Sequence, residues 1–373
     1  MKNHYQDCAL ILAWPDTTIR GDEKWMMFFK KLGLVKNLNF KVGHTGIVLV
    51  EKETGKLSYY DFGRYITPRG HGRARSEYSD PLLRMDTKAV FNPLGEILNL
   101  KEICEELHKM KDAIHAHGRM VFSVAKDINY SLAKSFGDRT VMQGSTPYGA
   151  VARGNNNCSR FITRLLQFSS IKYHPLHPIH FPETIKASPL SNIVNVRKDR
   201  KVYFHEEDGS LNTKKMNRWD SFWFLCKQLS ENCSVKKSEK FPDDEIIGHM
   251  EEKIKPTHLP DRAQWLGGVG MGAWFLIDST EKSNIFQISR FTENGILEYK
   301  KPFKSEIDLP KIPLHEFKIA HDNHLLISHI KAQGKIFRLV PTPDKIKTPI
   351  IDTQVSRKFT EADHFKLETQ SLN

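Results

Sequence analysis

The sequence predicts an α+β protein in which an antiparallel sheet with packed helices is followed by a small all-β domain. Three observations predict it. Val42–Glu51 and Leu57–Tyr65 read as two strands around Lys52-Glu53-Thr54-Gly55, a hairpin with a glycine-bearing turn. Apolar positions recur every three or four residues from Leu98 to His117 and again after Ser159, which is the helical period. From Trp265 onward the pattern is strand-like, with Asn294-Gly295 as a strong tight-hairpin signal and Asp322-Asn323 as a weaker one.

In chain order, Ala9–Trp14 is a strand-like apolar run ended by Pro15-Asp16. Trp25, Phe28, Phe29 and Leu32 share a helical face, with Gly33 as C-cap. After the hairpin, Leu100, Ile103, Cys104, Leu107, Met110 and Ile114 predict one helix of about five turns. Met120–Val124 reads as a strand and Asn129–Phe136 as a helical piece. Phe161, Ile162, Leu165, Leu166 and Phe168 mark a further helix, with Asn157 at its N-cap position. Prolines between Tyr173 and Pro182 forbid regular helix, so an extended connection is expected there. Trp219, Phe222, Trp223, Phe224 and Leu225 suggest one helix within a charged stretch. Six strands are then expected: Trp265–Ile277, Ile285–Phe291, Ile296–Tyr299, Phe317–Ala320, Leu325–Ile330 and Lys335–Val340. The expected organisation is a first domain over 1–195, a charged connector over 196–260, a β-rich domain over 261–345 and a polar tail over 346–373.

At 373 residues the chain is long enough for two domains that each bury a core. Its 39% hydrophobic and 27% charged residues are those of a soluble globular protein, and no stretch approaches the roughly 18 apolar residues of a membrane span. The N-terminal apolar run is too short for a signal peptide, so a cytoplasmic protein is expected. Five scattered cysteines, an odd number without paired spacing, indicate neither a disulfide framework nor a zinc site. The net charge of +12 is spread along the chain without a basic helix or an RNA-binding aromatic motif, so nucleic acid is not expected as a partner. His174, His177 and His180 recur every third residue, but the prolines between them preclude helical convergence and no Cys or carboxylate accompanies them. Neither a metal nor a cofactor is expected. Gly267-Gly268-Val269-Gly270-Met271-Gly272 lacks the following helix and acidic residue of a dinucleotide site and is expected to be a glycine-bearing strand against which an aromatic packs.

Chemistry concentrates at Cys158. It opens its predicted helix, where free N–H groups and the helix dipole favour a thiolate and can also stabilise an oxyanion. A buried structural thiol is the competing reading. His44, opening the second hairpin strand's partner, is the candidate base. If the turn lies at Lys52–Gly55, facing residues place Gly46 opposite Asp61 and put Asp61 diagonally beside His44, where a carboxylate could orient the imidazole. Pairing of Asp61 with Arg64 is the alternative. Arg64, Arg69, Arg73 and Arg75 cluster in a glycine-bearing loop after Asp61, with a solvated basic loop as the alternative; Arg64, Arg69 and Arg73 are candidate contacts for an anionic substrate group, as is Asn157 beside the thiol.

The motifs Gly43-His44-Thr45-Gly46-Ile47-Val48 and Asn157-Cys158-Ser159-Arg160-Phe161, in that order, resemble the circularly permuted papain-like superfamily. That group includes NlpC-like permuted amidases and lecithin:retinol acyltransferase-like enzymes. The resemblance covers about residues 8–195, and the whole chain resembles bacterial proteins joining such a domain to a β-rich one. It implies Cys158 as nucleophile, His44 as base and Asp61 as third residue, acting on an amide or ester carbonyl by hydrolysis or acyl transfer. A small-molecule, lipid or peptide acyl substrate is implied, and a protein partner for the β domain is open. The competing function is a non-catalytic binding protein on a degenerate papain-like fold, distinguished by whether the thiol and imidazole meet.

Overall fold

A computed structural model of the chain describes residues 5–149, 154–170, 188–197, 199–282 and 284–342. The described residues form two compact units. One runs up to Glu252 and includes Gly267–Gly272; the other comprises Lys253–Leu266 and the chain from Ala273. The architecture is mixed α+β, with antiparallel sheets, several helices and a separate, nearly closed all-β C-terminal unit.

The first unit contains strands β1 (Asp7–Trp14), β2 (Ile19–Arg20), β3 (Asn39–Phe40), β4 (His44–Val50), β5 (Leu57–Gly63), β6 (His71–Ser76), β7 (Met120–Ile128), β8 (Thr146–Pro147), β9 (Lys201–His205) and β10 (Leu211–Lys215). Eight of them make one sheet in the order β10-β9-β7-β1-β4-β5-β6-β8, while β2 pairs with β3. The apolar run of β1 sits near the middle of this sheet, which is why every position from Ala9 to Trp14 is buried. Leu10, Leu12 and Trp14 face a core shared with Val48, Tyr59, Ile103 and Leu107. On the hairpin, Gly46 faces Asp61, the register expected from the turn.

The helices of this unit are α1 (Lys24–Lys31), α2 (Leu100–Lys109), α3 (Lys111–Ile114), α4 (Tyr130–Met142), α5 (Cys158–Ser169), α6 (Pro189–Asn195), α7 (Arg218–Glu231) and α8 (Val235–Ser238). The single helix expected over Leu98–His117 is two. It breaks at Met110 and ends at His115 in a left-handed conformation (φ 58°), while the buried positions stay in phase across the break and mimic one period. The expected charged connector also differs: Lys201–His205 and Leu211–Lys215 extend the first sheet through β7. Among the described residues no helix is long and apolar enough to cross a membrane.

The second unit has strands β11 (Gln264–Leu266), β12 (Ala273–Ser279), β13 (Ile285–Phe291), β14 (Leu297–Ser305), β15 (Lys318–Ile319), β16 (Ser328–Ala332) and β17 (Lys335–Pro341), ordered β11-β12-β13-β14-β17-β16-β15. The Gln264 side chain bonds the Phe317 carbonyl (3.0 Å) and the Ile319 N–H (2.9 Å), bringing the two end strands together and leaving the barrel nearly closed. This satisfies edge groups that an open sheet would expose. Trp274 and Phe275 are fully buried, and Trp265 packs edge-on to Trp274. The strand expected over Trp265–Ile277 is interrupted, because Gly267–Gly272 leaves the barrel's ladder and belongs to the first unit. The stretch containing His174, His177 and His180, and the tail from 346, lie outside the described residues.

Candidate active site

Cys158 is the first residue of α5, and the preceding Asn157 caps the helix by accepting the Arg160 N–H at 2.8 Å. The loop before it is tied to the segment after β8: Asn156 donates to the Pro147 carbonyl and Gly149 to that of Asn156, both at 3.0 Å. These bonds bring Tyr148 alongside, with its hydroxyl beside the Cys158 thiol. Asn157 is therefore a capping residue, not a free substrate contact, a correction to the sequence expectation. Asn157→Ala is expected to cost about 1 kcal/mol of stability, as lost N-caps do, measured by urea denaturation.

His44 begins β4 opposite Trp14, whose ring stacks on the imidazole with centroids 6.1 Å apart. The Cys158 thiol and the His44 imidazole are near enough for each to shift the other's protonation. The imidazole Nε2 lies 3.1 Å from Asp61 Oδ2 and 3.2 Å from the Tyr65 hydroxyl. Asp61 is completely buried and is the hub of the cluster. Arg75 donates to its Oδ1 at 3.0 Å and Oδ2 at 2.6 Å, and the hydroxyls of Tyr59 and Tyr65 each donate to Oδ2 at 3.1 Å. Arg75 also donates to the carbonyls of Ala113 and Ile114, completing the C-terminal end of α3, where a cation is favoured.

Electrostatics follow this geometry. Burial disfavours the His44 imidazolium, but the hydrogen bonds and charges of Asp61 and Cys158 outweigh it and raise its pKa from 6.5 to about 9. Burial would likewise raise the Cys158 thiol, yet the bond and charge of His44 hold it below its ordinary value. Asp61 stays well below the usual carboxylate range, because Arg75 and His44 overcome its desolvation. Cys8 and Cys104, by contrast, are pushed up to about 12, chiefly by burial.

Of the expected arginine contacts, the structure keeps one at the site. The stretch read as a loop contains strand β6, whose Arg73 and Arg75 point inward. Arg73 is almost fully buried and makes a two-pronged ion pair with Asp80 at 2.8 Å, so its candidacy as a substrate contact is overturned. Arg69 is held at the surface by both oxygens of Asp22, at 2.9 and 2.7 Å. Arg64 lines a cavity of about 530 Å³ together with His44, Tyr65, His115 and Tyr148. Asp61 pairs with Arg75 rather than with Arg64.

Sequence reasoning missed Tyr65, Tyr148 and His115, and it placed Arg75 in an anion-binding cluster, not opposite Asp61. The Tyr65 ring lies against Gly63, where an added Cβ would come within 2.5 Å of it, and Arg75 sits over its face at 3.4 Å from the centroid. The Gly63-Arg64-Tyr65 run was the only local signal. His115 stacks on Tyr65 at 5.6 Å; desolvation and then the Arg75 charge lower its pKa to about 3. Its ring is neutral at ordinary pH. Among the described residues no group of three or more His, Cys, Asp or Glu side chains is arranged to hold a metal ion.

Comparison with known proteins gives matches to each unit. No curated protein matches the chain. A family model described as the DUF6695 C-terminal domain matches residues 263–341. The crystal structure of the type VI secretion system effector TseH matches with a TM-score of 0.39 and 17% identity, over 56% of this chain and 98% of that one. Over residues 9–174, which hold His44, Asp61 and Cys158, the chain is similar to the family described as type VI secretion system effector TseH-like.

Proposed function

We propose that the first unit is a thiol hydrolase or acyltransferase of papain-like kind, with the permuted order in which His44 precedes Cys158. The observation that carries the reading is the placement of Cys158, at the head of a 12-residue helix, beside His44, whose Nε2 is hydrogen-bonded to the buried Asp61. Similarity to the TseH-like effector family over the same residues supports it.

With Nε2 directed at Asp61, the other ring nitrogen, Nδ1, is the one that exchanges a proton with the thiol. Cys158 Sγ bonds to the carbonyl carbon of an amide or ester, and the oxyanion is held by backbone N–H groups of the first turn of α5. His44 returns its proton to the departing amine or alcohol, leaving an acyl thioester on Cys158. Water, or an acceptor hydroxyl or amine, then gives its proton to His44 and takes the acyl group. Asp61 orients the ring and stabilises the imidazolium, the part a carboxylate plays in triads. Tyr65 and Arg75 position Asp61.

The test is labelling at neutral pH with acyl-mimetic thiol probes, mapped by mass spectrometry, in the parent, Cys158→Ala and His44→Ala. The expected label is on Cys158, is slowed in His44→Ala and is lost in Cys158→Ala. Cys8 and Cys104, buried and raised to about 12, stay unlabelled, and the exposed Cys233 gives only slow background. A label that goes instead to Cys8 or Cys226, with Cys158 untouched, sinks the assignment.

A further inference from the structure

Three of the four arginines between Gly63 and Ser76 are matched by carboxylates: Arg69 by Asp22, Arg73 by Asp80 and Arg75 by Asp61. Arg64 is not. It is only 7% exposed, yet among the described residues no carboxylate pairs with it. One of its Nη groups donates to the Arg20 carbonyl at 2.7 Å, and its guanidinium lies 5.0 Å from the centroid of the Tyr148 ring. Holding a guanidinium away from water without a counter-charge is costly, and the cavity it lines is the one His44 lines.

The backbone around Arg64 is fixed from outside its own hairpin. Gly270 donates to the Arg64 carbonyl at 2.9 Å, and Ile66 donates to Met271 at 3.0 Å. The approach requires glycine: a Cβ on Gly268 would lie 2.8 Å from the Ile66 nitrogen and 2.9 Å from that of Thr67. Tyr148 then joins two features, because its ring carries the guanidinium while its hydroxyl meets the Cys158 thiol. One side chain thus sets the spacing between cation and nucleophile.

We propose that Arg64 binds a carboxylate carried by the acyl substrate, close to the carbonyl that Cys158 attacks; this rests on the thiol reading above. Arg20, the other guanidinium there, donates to the carbonyls of Asp244 and Ile246 and shares Asp22, at 3.9 Å, with Arg69, whereas Arg64 has no carboxylate within ion-pair distance among the described residues and can take one as a single fork. His115 adds no charge, being neutral. Asp243, the acidic residue on the cavity wall, is exposed and accepts the Glu245 N–H. A planar fork matches a carboxylate geometrically as well as in charge.

The test uses chloroacetyl-glycine, chloroacetyl-β-alanine and chloroacetyl-γ-aminobutyrate, each against its C-terminal amide. Cys158 Sγ displaces chloride, forming the C–S bond as the C–Cl bond breaks, while the thiol proton remains on His44. For at least one chain length the carboxylate should outpace its amide about tenfold or more, relative to the same pair with glutathione, the size expected for one charge-assisted bond. Arg64→Gln should bring that ratio to within about twofold of glutathione, and Arg64→Lys should keep part of it. The parent's ratio decides the matter even if a variant fails to fold. Labelling of Cys158 with no carboxylate preference at any length, or a preference that Arg64→Gln leaves intact, overturns the proposal and spares the thiol reading. No labelling of Cys158 by either series overturns both.

Discussion

Asp61→Ala is expected to cost about 3–5 kcal/mol of folding stability, the usual penalty for removing one partner of a buried ion pair. The size follows from what the carboxylate satisfies. Its loss strands the Arg75 guanidinium, which is 1% exposed, and removes the acceptor of the Tyr59 and Tyr65 hydroxyls and the partner of His44 Nε2. Arg75 would keep only its carbonyl contacts at the end of α3 and the face of Tyr65. Asp61→Asn retains an acceptor oxygen but no charge and should fall between the parent and Asp61→Ala. Urea denaturation with an unchanged slope gives the comparison. A loss under about 1 kcal/mol for Asp61→Ala would mean that the hub is not built as described.

The second large effect is on reactivity. His44→Ala is expected to slow alkylation of Cys158 strongly at acid and neutral pH, because burial then raises a thiol that has lost the charge holding its pKa down. The gap should narrow as pH rises and the thiol of the variant ionises. Equal rates at pH 6 would exclude His44 as the thiol's partner. Stability should change in the same sense. The His44 pKa is raised, so its contribution is complete below the unfolded value of about 6.5 and is lost as pH rises through about 9. Asp61 is depressed, so its contribution is present above the ordinary carboxylate pKa and is lost as pH falls. His44→Ala should therefore flatten the alkaline slope of stability, while Asp61→Asn flattens the acid one.

The hairpin register was legible because a four-residue turn fixes every facing pair, and the pair Gly46–Asp61 follows from it. Cys158 at a helix start was legible because Asn157 and the apolar spacing after it mark an N-terminus. Strand β6 was not, since its inward positions are arginines whose burial makes sense only once Asp61 and Asp80 are known to face them. The alternation of apolar residues that reveals a strand is absent from His71-Gly72-Arg73-Ala74-Arg75-Ser76. Tyr65 lies beyond the end of β5, next to Ile66 with its left-handed φ of 53°, where strand geometry no longer predicts direction. Gly267–Gly272 reads as strand because its neighbours are strands, whereas close approach to the Arg64–Thr67 backbone explains Gly268 and Gly270, and approach to the His249–Met250 backbone explains Gly267.

The pairing of Cys158 with His44 is tested most directly by titrating the ultraviolet thiolate absorbance of the parent against Cys158→Ser across the acid and neutral range. A thiolate step below the ordinary thiol range, moved upward in His44→Ala, is the expected result. A single step near about pH 8.5 or above in the parent, unmoved by His44→Ala, would contradict it.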